Sequence, residues 1–454
     1  MTQSGINSSG SARPAAGTSD AHDSCARFQN VLRRNWQSGK GGVYAVCSAH
    51  PQVIDAAIRQ SIDDNSVLHV ESTSSQVNQF GGYSGQTPNQ FAQSVKSAAQ
   101  RAGLPPERVL LGGDHLGPFP WRTEAAHSAM EKACELVRQC VFAGYQKIHL
   151  DPSMACAGDA GLSEHTIATR AAILCDAAER ASGDLPPHCQ RPVYVIGTEV
   201  PAPGGEVLTS HGPTVTTAAD VHRTLEIFHH AFQERGLASA WERVVALVVQ
   251  PGVDFGADTI LDYDASRARP LSTALSTHAG VVYEAHSTDY QSPAALAQMV
   301  QDHFAILKVG PWLTFAFREA VLALSSIEGE LFKTSSRRLS QVREALEAAM
   351  MQNPAHWRSY YQGDDEQVRR SLIYGYSDRC RYYWNESPVQ DELGRLISNL
   401  SASPIPLSLI SQYLPEEYKA IRSGPIQPVP HQIIAEHIRQ VLRVYAASCA
   451  IQAV

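Results

Sequence analysis

The sequence predicts an α/β fold: a closed (β/α)8 TIM barrel with an additional helical C-terminal region. Three observations lead there. Eight short β-rich runs alternate with longer amphipathic segments between residues 25 and 330. The runs are apolar along most of their length, as strands covered on both faces are. The segments between them are long enough for the crossovers that parallel neighbours require. Eight such units make a barrel of about 250 residues or more. An open doubly wound sheet is the other arrangement, but no G-x-G-x-x-G follows the first run, and "GGYSG" (81–85) is neither that fingerprint nor a Walker A loop.

In chain order, residues 1–24 are rich in Ser, Gly and Ala, offer little to bury, and are expected to form a disordered tail. The barrel follows over 25–330, its strands carried by "GGVYAVCSA" (41–49), "VLHVEST" (67–73), "VLLGGDHL" (109–116), "KIHLDP" (147–152), "VYVIGTEV" (193–200), "VVALVVQPG" (244–252), "VVYEAHST" (281–288) and "AILKVG" (305–310). The connecting segments read as helices; "TEAAHSAMEKACELVRQCVFAG" (123–144) ends on a glycine suited to a C-cap. Over 331–454 the texture turns helical and aromatic, as in "DRCRYYW" and "HQIIAEHIRQVLRVYAASCA", with Pro404, Pro406 and the prolines of 425–430 as breaks. This region is expected to pack on the barrel.

A net charge of -8 without any run of basic residues argues against nucleic acid or an anionic membrane as partner. No apolar stretch reaches the ~18 residues of a membrane span, and the N-terminus lacks a signal pattern, so a cytoplasmic protein is expected. The nine cysteines form no C-x-x-C pair and read as reduced thiols.

Barrel active sites gather at the C-terminal ends of the strands. Reading those ends off gives Ser48 and His50, Glu71, Asp114 and His115, Asp151 and Ser153, Glu199, Gln250, then Glu284, His286, Ser287 and Asp289, and finally Lys308. Singly, each has an ordinary structural role open to it: Asp151 as a helix cap, Glu284 with Lys308 as a buried pair. Together they predict a divalent metal site, because histidine with carboxylate or amide suits a Lewis acid. The expected ligands are His115, Glu199 and His286, with Gln250 or Asp151 as a fourth. Zinc is the first expectation, and Mn, Ni and Co suit the same donors; no nucleotide cofactor is expected. The loop "QVNQFGGYSG" (76–85) brings Gln76, Asn78 and Gln79, which can serve either a sugar or the loop itself.

The motifs "CSAHPQVIDAA", "ESTSSQVNQFGGYSGQTP", "LGGDHLGP", "KIHLDPSMACAGD", "VIGTEVPAPGGE", "YEAHSTDYQ" and "FAILKVGPWLTFAFREA" together resemble the tagatose-bisphosphate aldolase accessory-subunit family, over about residues 28–449. That family includes non-catalytic partners of a class II aldolase and members that epimerise ketoses or ketose phosphates at carbon 4. An older family label, tagatose-6-phosphate kinase, finds no nucleotide loop here. More distantly, "GGDHL" is similar to the Asp-His pair of class II aldolases, which casts Asp114 as acid/base and His115 as ligand. By the same resemblance Asp151 and Ser153 support or touch the substrate, Glu199 and His286 belong to the metal centre, and Ser287 stands near a phosphate loop. Two departures from the aldolase pattern stand out: Gln250 lies where a histidine ligand is expected, and Gly310 replaces an asparagine.

The resemblance implies a metal-dependent tagatose- or fructose-type 4-epimerase working by retro-aldol cleavage and re-addition. Asp114 would act as the first acid/base, with Glu71 or Asp151 as the second, and Ser48, His50, Gln76, Asn78, Gln79, Ser153, Ser287, Asp289 and Lys308 would bind substrate. The other role it implies is a subunit supporting a class II aldolase. A homo-oligomer is expected, with a small ketose or ketose phosphate as ligand. Arg379 and Arg381 reach a phosphate only if the C-terminal region folds over the barrel mouth.

Overall fold

The structure, a computed structural model, describes residues 23–198, 213–275, 278–402 and 404–450. Eight parallel strands close into a barrel: β1 (Val43–Cys47), β2 (Leu68–Thr73), β3 (Val109–Leu116), β4 (Lys147–Leu150), β5 (Val193–Ile196), β6 (Val244–Val249), β7 (Val282–Ala285) and β8 (Ile306–Val309). Each pairs with its neighbour in the chain, and β8 returns to β1 in register from Val43 opposite Ile306. Every strand lies inside one of the eight runs of the sequence. A two-residue hairpin (Asp254–Phe255 with Ile260–Leu261) follows β6 and stands outside the barrel.

Side-chain alternation sorts the strands into two layers. One phase, with Ile148, Leu150 and Tyr194, packs outward against the surrounding helices. The other phase points inward, and there Ala45, Leu110, Val193, Val195, Ala246, Val248, Val282 and Ile306 form an apolar floor. The floor is sealed by Cys25, Phe28 and Leu32 of the helix Ser24–Ser38, which is N-capped by Asp23. Asp23 and Ser24 therefore belong to this plug and not to the expected tail. Above the floor the inward positions turn polar, and the site begins.

After β8 the chain runs into the helix Pro311–Phe332 and a series of further helices. The last long one, Pro430–Ser448, returns to the barrel wall between the helices Pro51–Asp63, Pro293–Gln301 and Pro311–Phe332. Between these, the segment 376–384 crosses the C-terminal mouth. Backbone bonds from Tyr376 to Ala257 and from Ser377 to Gly256 hold it (2.8 and 3.0 Å). So does Asp378, which accepts from Thr314 (2.5 Å) and pairs with Arg318 (3.2 Å). No helix among the described residues is long and apolar enough to cross a membrane.

Candidate active site

Adjacent strand residues normally face opposite ways, yet Asp114 and His115 both face the barrel interior. His115 adopts the left-handed φ of 46°, and the pairing of β3 with β4 slips between Gly113 and Leu116. This local irregularity turns the second side chain back inward. The glycines around the pair keep space for it. A Cβ on Gly112 would lie 2.8 Å from Cγ of Glu71, and one on Gly117 would lie 1.7 Å from the carbonyl oxygen of Asp151.

His115 is fixed at both ring nitrogens. Nδ1 meets the Asp151 carboxylate at 2.7 Å, and Nε2 lies 3.1 Å from Nδ1 of His286. Asp151 spends its other oxygen on Ser153, accepting from the amide at 3.0 Å and the hydroxyl at 2.5 Å. Asp151 and Ser153 therefore hold His115 from behind. Burial works against protonation of His115, but the Asp114 charge and the Asp151 bond win and lift its pKa to about 9. Asp114 accepts from His149 Nδ1 (3.1 Å) and pairs with Lys308 Nζ (2.9 Å). Burial would raise its pKa, yet the surrounding histidines His115, His149 and His286 hold it well below the usual carboxylate range.

Beneath lies a fully buried ionic layer. Lys147 Nζ bridges Glu71 and Glu284 at 2.6 Å each, Lys308 pairs with Glu71, and His69 meets Glu71 at 2.7 Å. Glu284 also meets His286 Nε2 at 3.0 Å. Burial would raise the Glu284 pKa, but Lys147 and His286 bring it down to about 2. Burial lowers Lys308 to about 8.

The donors fit a divalent ion. Ligand atoms of Asp114, His149, Glu284 and His286 all lie within 4.8 Å of one another. The 3.1 Å between the His115 and His286 nitrogens is close to the separation of two ligands on one ion with bonds of about 2.0–2.1 Å. His149 Nε2 is buried there without a hydrogen-bond partner among the described residues. Four buried carboxylates (Glu71, Asp114, Asp151, Glu284) against two buried lysines (Lys147, Lys308) also leave an excess of negative charge when the histidines are neutral. Imidazole with carboxylate suits zinc and its first-row neighbours.

The cavity above this cluster has a volume of about 630 Å³ including its mouth, and Asp114, His115, His286, Ser287, Asp289 and Lys308 line it. Gln76 lines it too, with its amide bonded to Thr73 and Cys47. Asp289 accepts from the amides of Gly310 and Trp312 (3.0 and 2.8 Å), and burial raises its pKa to about 6. Ser48 and His50 line an adjoining pocket. Tyr83, Arg381 and Tyr382 close the mouth from above.

Several expectations need correction. Gln250 turns its side-chain oxygen onto the Gly252 amide at 2.7 Å, so it serves its own turn and not a metal. Asn78 donates to Ser74 O and accepts from the amides of Phe80 and Gly82, and Gln79 donates to Lys132 O; both hold their loop and neither lines the cavity. Glu71 is wholly buried among cations, and Asp151 stands behind His115, so neither can act as the second acid/base. Glu199 lies outside the described residues. Glu284, read at its strand end, stands in the cluster with Lys147 at 2.6 Å and Lys308 at 3.7 Å. Conversely, His149 and Lys147, absent from the expected set, join it; their signal is the inward phase they share with Asp151.

A family model described as D-tagatose-1,6-bisphosphate aldolase subunit GatZ/KbaZ-like matches residues 28–450. A crystal structure of a probable tagatose 6 phosphate kinase from Sinorhizobium meliloti 1021 is similar at 42% identity and a TM-score of 0.82, over 90% of this chain and 100% of that one. The YdjI aldolase from Escherichia coli K12 is similar at 10% identity and a TM-score of 0.40, over 83% of this chain and 98% of that one. The fructose-bisphosphate aldolase of Campylobacter jejuni gives 12% and 0.41, over 84% and 93%. These last two likenesses are too slight to bear on activity.

Proposed function

Because the chain belongs to the D-tagatose-1,6-bisphosphate aldolase subunit GatZ/KbaZ-like family, we propose that it is a metal-dependent 4-epimerase of tagatose- and fructose-type ketoses or their phosphates. The observation that carries this reading is the convergence of Asp114 with the His115–His286 pair and Lys308 around one cavity. A carbon-4 hydrogen of a 2-ketose is not acidic, so inversion there calls for cleavage and re-formation of the C3–C4 bond. His115 and His286, with Asp114, His149 or Glu284, would hold a divalent ion supplying Lewis acidity at the ketose oxygens.

Asp114, kept ionised by its neighbours, takes the proton from the C4 hydroxyl. C4 becomes an aldehyde carbonyl as the C3–C4 bond breaks, and the electron pair of that bond passes to C3 and into the C2 carbonyl. Lys308, 2.9 Å from Asp114, holds that carboxylate in place. The aldehyde turns, presents its other face and re-adds. Asp289, on the cavity wall and with its pKa raised to about 6, is suited to give its own proton to the inverted hydroxyl, and exchange of both carboxyls with water through the mouth resets the pair. Tyr83, Arg381 and Tyr382 roof the cavity and retain the aldehyde, which separates an epimerase from an aldolase.

A second reading is favoured by the family's description as an aldolase subunit: a chain that is inert alone and supports a class II aldolase. A kinase role, suggested by the name of the Sinorhizobium protein, has no Walker A loop in its favour. A carbon-13 NMR time course of the purified chain with tagatose 6-phosphate and with tagatose separates the readings. Fructose-type signals are the expected result. Triose signals would mean an aldolase, and no turnover of either sugar would move the weight to the supporting role.

A further inference from the structure

We infer that the terminal phosphate of a ketose phosphate sits in an annex of the cavity built around Arg381, an inference that rests on the epimerase reading for what fills the cavity itself. The annex joins the cavity through Cys47, Gln76, Tyr83, Gly310 and Arg381. The two differ in charge. The cavity carries Asp114 and Asp289, whereas the described residues lining the annex include no aspartate or glutamate. In their place stand Ser48, His50, Ser84, Thr314 and Asn385.

Arg381 makes no ion pair within 4.0 Å among the described residues. Its Nη1 donates to the carbonyls of Ser377 and Asp378 (2.5 and 2.9 Å) and its Nη2 to the Tyr382 hydroxyl (3.0 Å). The nearest carboxylate along the chain, Asp378, is taken up by Arg318 and Thr314. Neutral acceptors thus aim the guanidinium, and no carboxylate among the described residues pairs with it within 4.0 Å; the charges of Asp378 and Asp289 reach it only from farther away. The planar fork of arginine matches phosphate oxygens.

Two further features agree. The helix Pro51–Asp63 begins at the annex with the positive end of its dipole, and its N-cap residue His50 makes no side-chain cap bond. Nδ1 of His50 is buried without a hydrogen-bond partner among the described residues. The loop after His286, which also lines the cavity, carries the Asp289 carboxylate itself, a poor neighbour for a dianion.

Titration calorimetry on the full chain loaded with its metal tests the assignment, with tagatose 6-phosphate, tagatose and inorganic phosphate as probes. Arg381→Met removes the charge; Ser84→Asp puts a carboxylate at the annex edge without touching Arg381 and decides alone if the first variant does not fold. Each should weaken tagatose 6-phosphate about 10- to 100-fold, the range for lost charge-assisted hydrogen bonds. The preference of the protein for the phosphorylated over the free sugar should fall accordingly. Unchanged affinity for tagatose 6-phosphate in a folded variant would overturn the annex. So would a wild-type protein that binds tagatose, or inorganic phosphate, as tightly as the sugar phosphate. Binding that obeys these expectations without turnover would keep the annex and remove the epimerase; turnover of both sugars with equal ease would do the reverse.

Discussion

Asp114 is the residue on which the chemistry turns, because it lies beside the histidine pair, touches Lys308 and faces the cavity. Asp114→Asn keeps the shape and loses the base, so kcat should fall about 10²- to 10⁴-fold, the usual contribution of a positioned acid or base. Ligand affinity measured by calorimetry should change far less. Gln250→Ala makes the opposite case: since the amide only closes its own turn, metal content measured by atomic absorption should stay at the wild-type level. These two residues also mark what a single sequence discloses. Asp114 was readable because it ends an apolar run in a barrel. Gln250, Asn78 and Gln79 looked equally available, yet their amides satisfy nearby backbone groups, a commitment decided by loop geometry that no residue pattern displays.

At the scale of elements, the eight strands were legible because an apolar run buried on both faces needs no partner to be recognised. The inward phase of β4 and β7 was available too, and following it from Asp151 back to His149 and Lys147 would have found the missing cluster. The passage of 376–384 over the mouth was not legible, since it depends on bonds from Tyr376, Ser377 and Asp378 to residues 60 or more positions away. Two element-level expectations follow. Phe28, buried in the plug beneath the apolar floor, should cost about 3–5 kcal/mol when replaced by alanine, read by urea denaturation. The C-terminal helix Pro430–Ser448 is latched by His437, whose ring nitrogens meet Glu417 at 2.7 Å and Glu319 at 3.4 Å. Burial disfavours the charged ring, but the two carboxylates outweigh it and raise the pKa to about 9 from the ordinary 6.5. A raised pKa means stability fully present below pH 6.5 and lost as pH rises through 9. His437→Gln should therefore lower the melting temperature at pH 6 and leave it close to wild type at pH 10. A difference that does not shrink with pH would rule the latch out.

At the scale of the whole molecule, the barrel separates stability from chemistry along its axis. Phe28 and the apolar floor close one end, the Lys147–Glu71–Glu284 layer divides the middle, and the titratable cluster opens to the cavity under the C-terminal segment. The excess of buried carboxylates over lysines is the feature that ties this architecture to a cation, and through it to the proposed epimerisation. The most direct test follows turnover of tagatose 6-phosphate by the purified chain alone, before chelation, after it, and after a divalent metal is restored. Fructose 6-phosphate that forms, ceases with chelator and returns with metal is the predicted result. Turnover that survives complete removal of metal, or none with any metal restored, would contradict it.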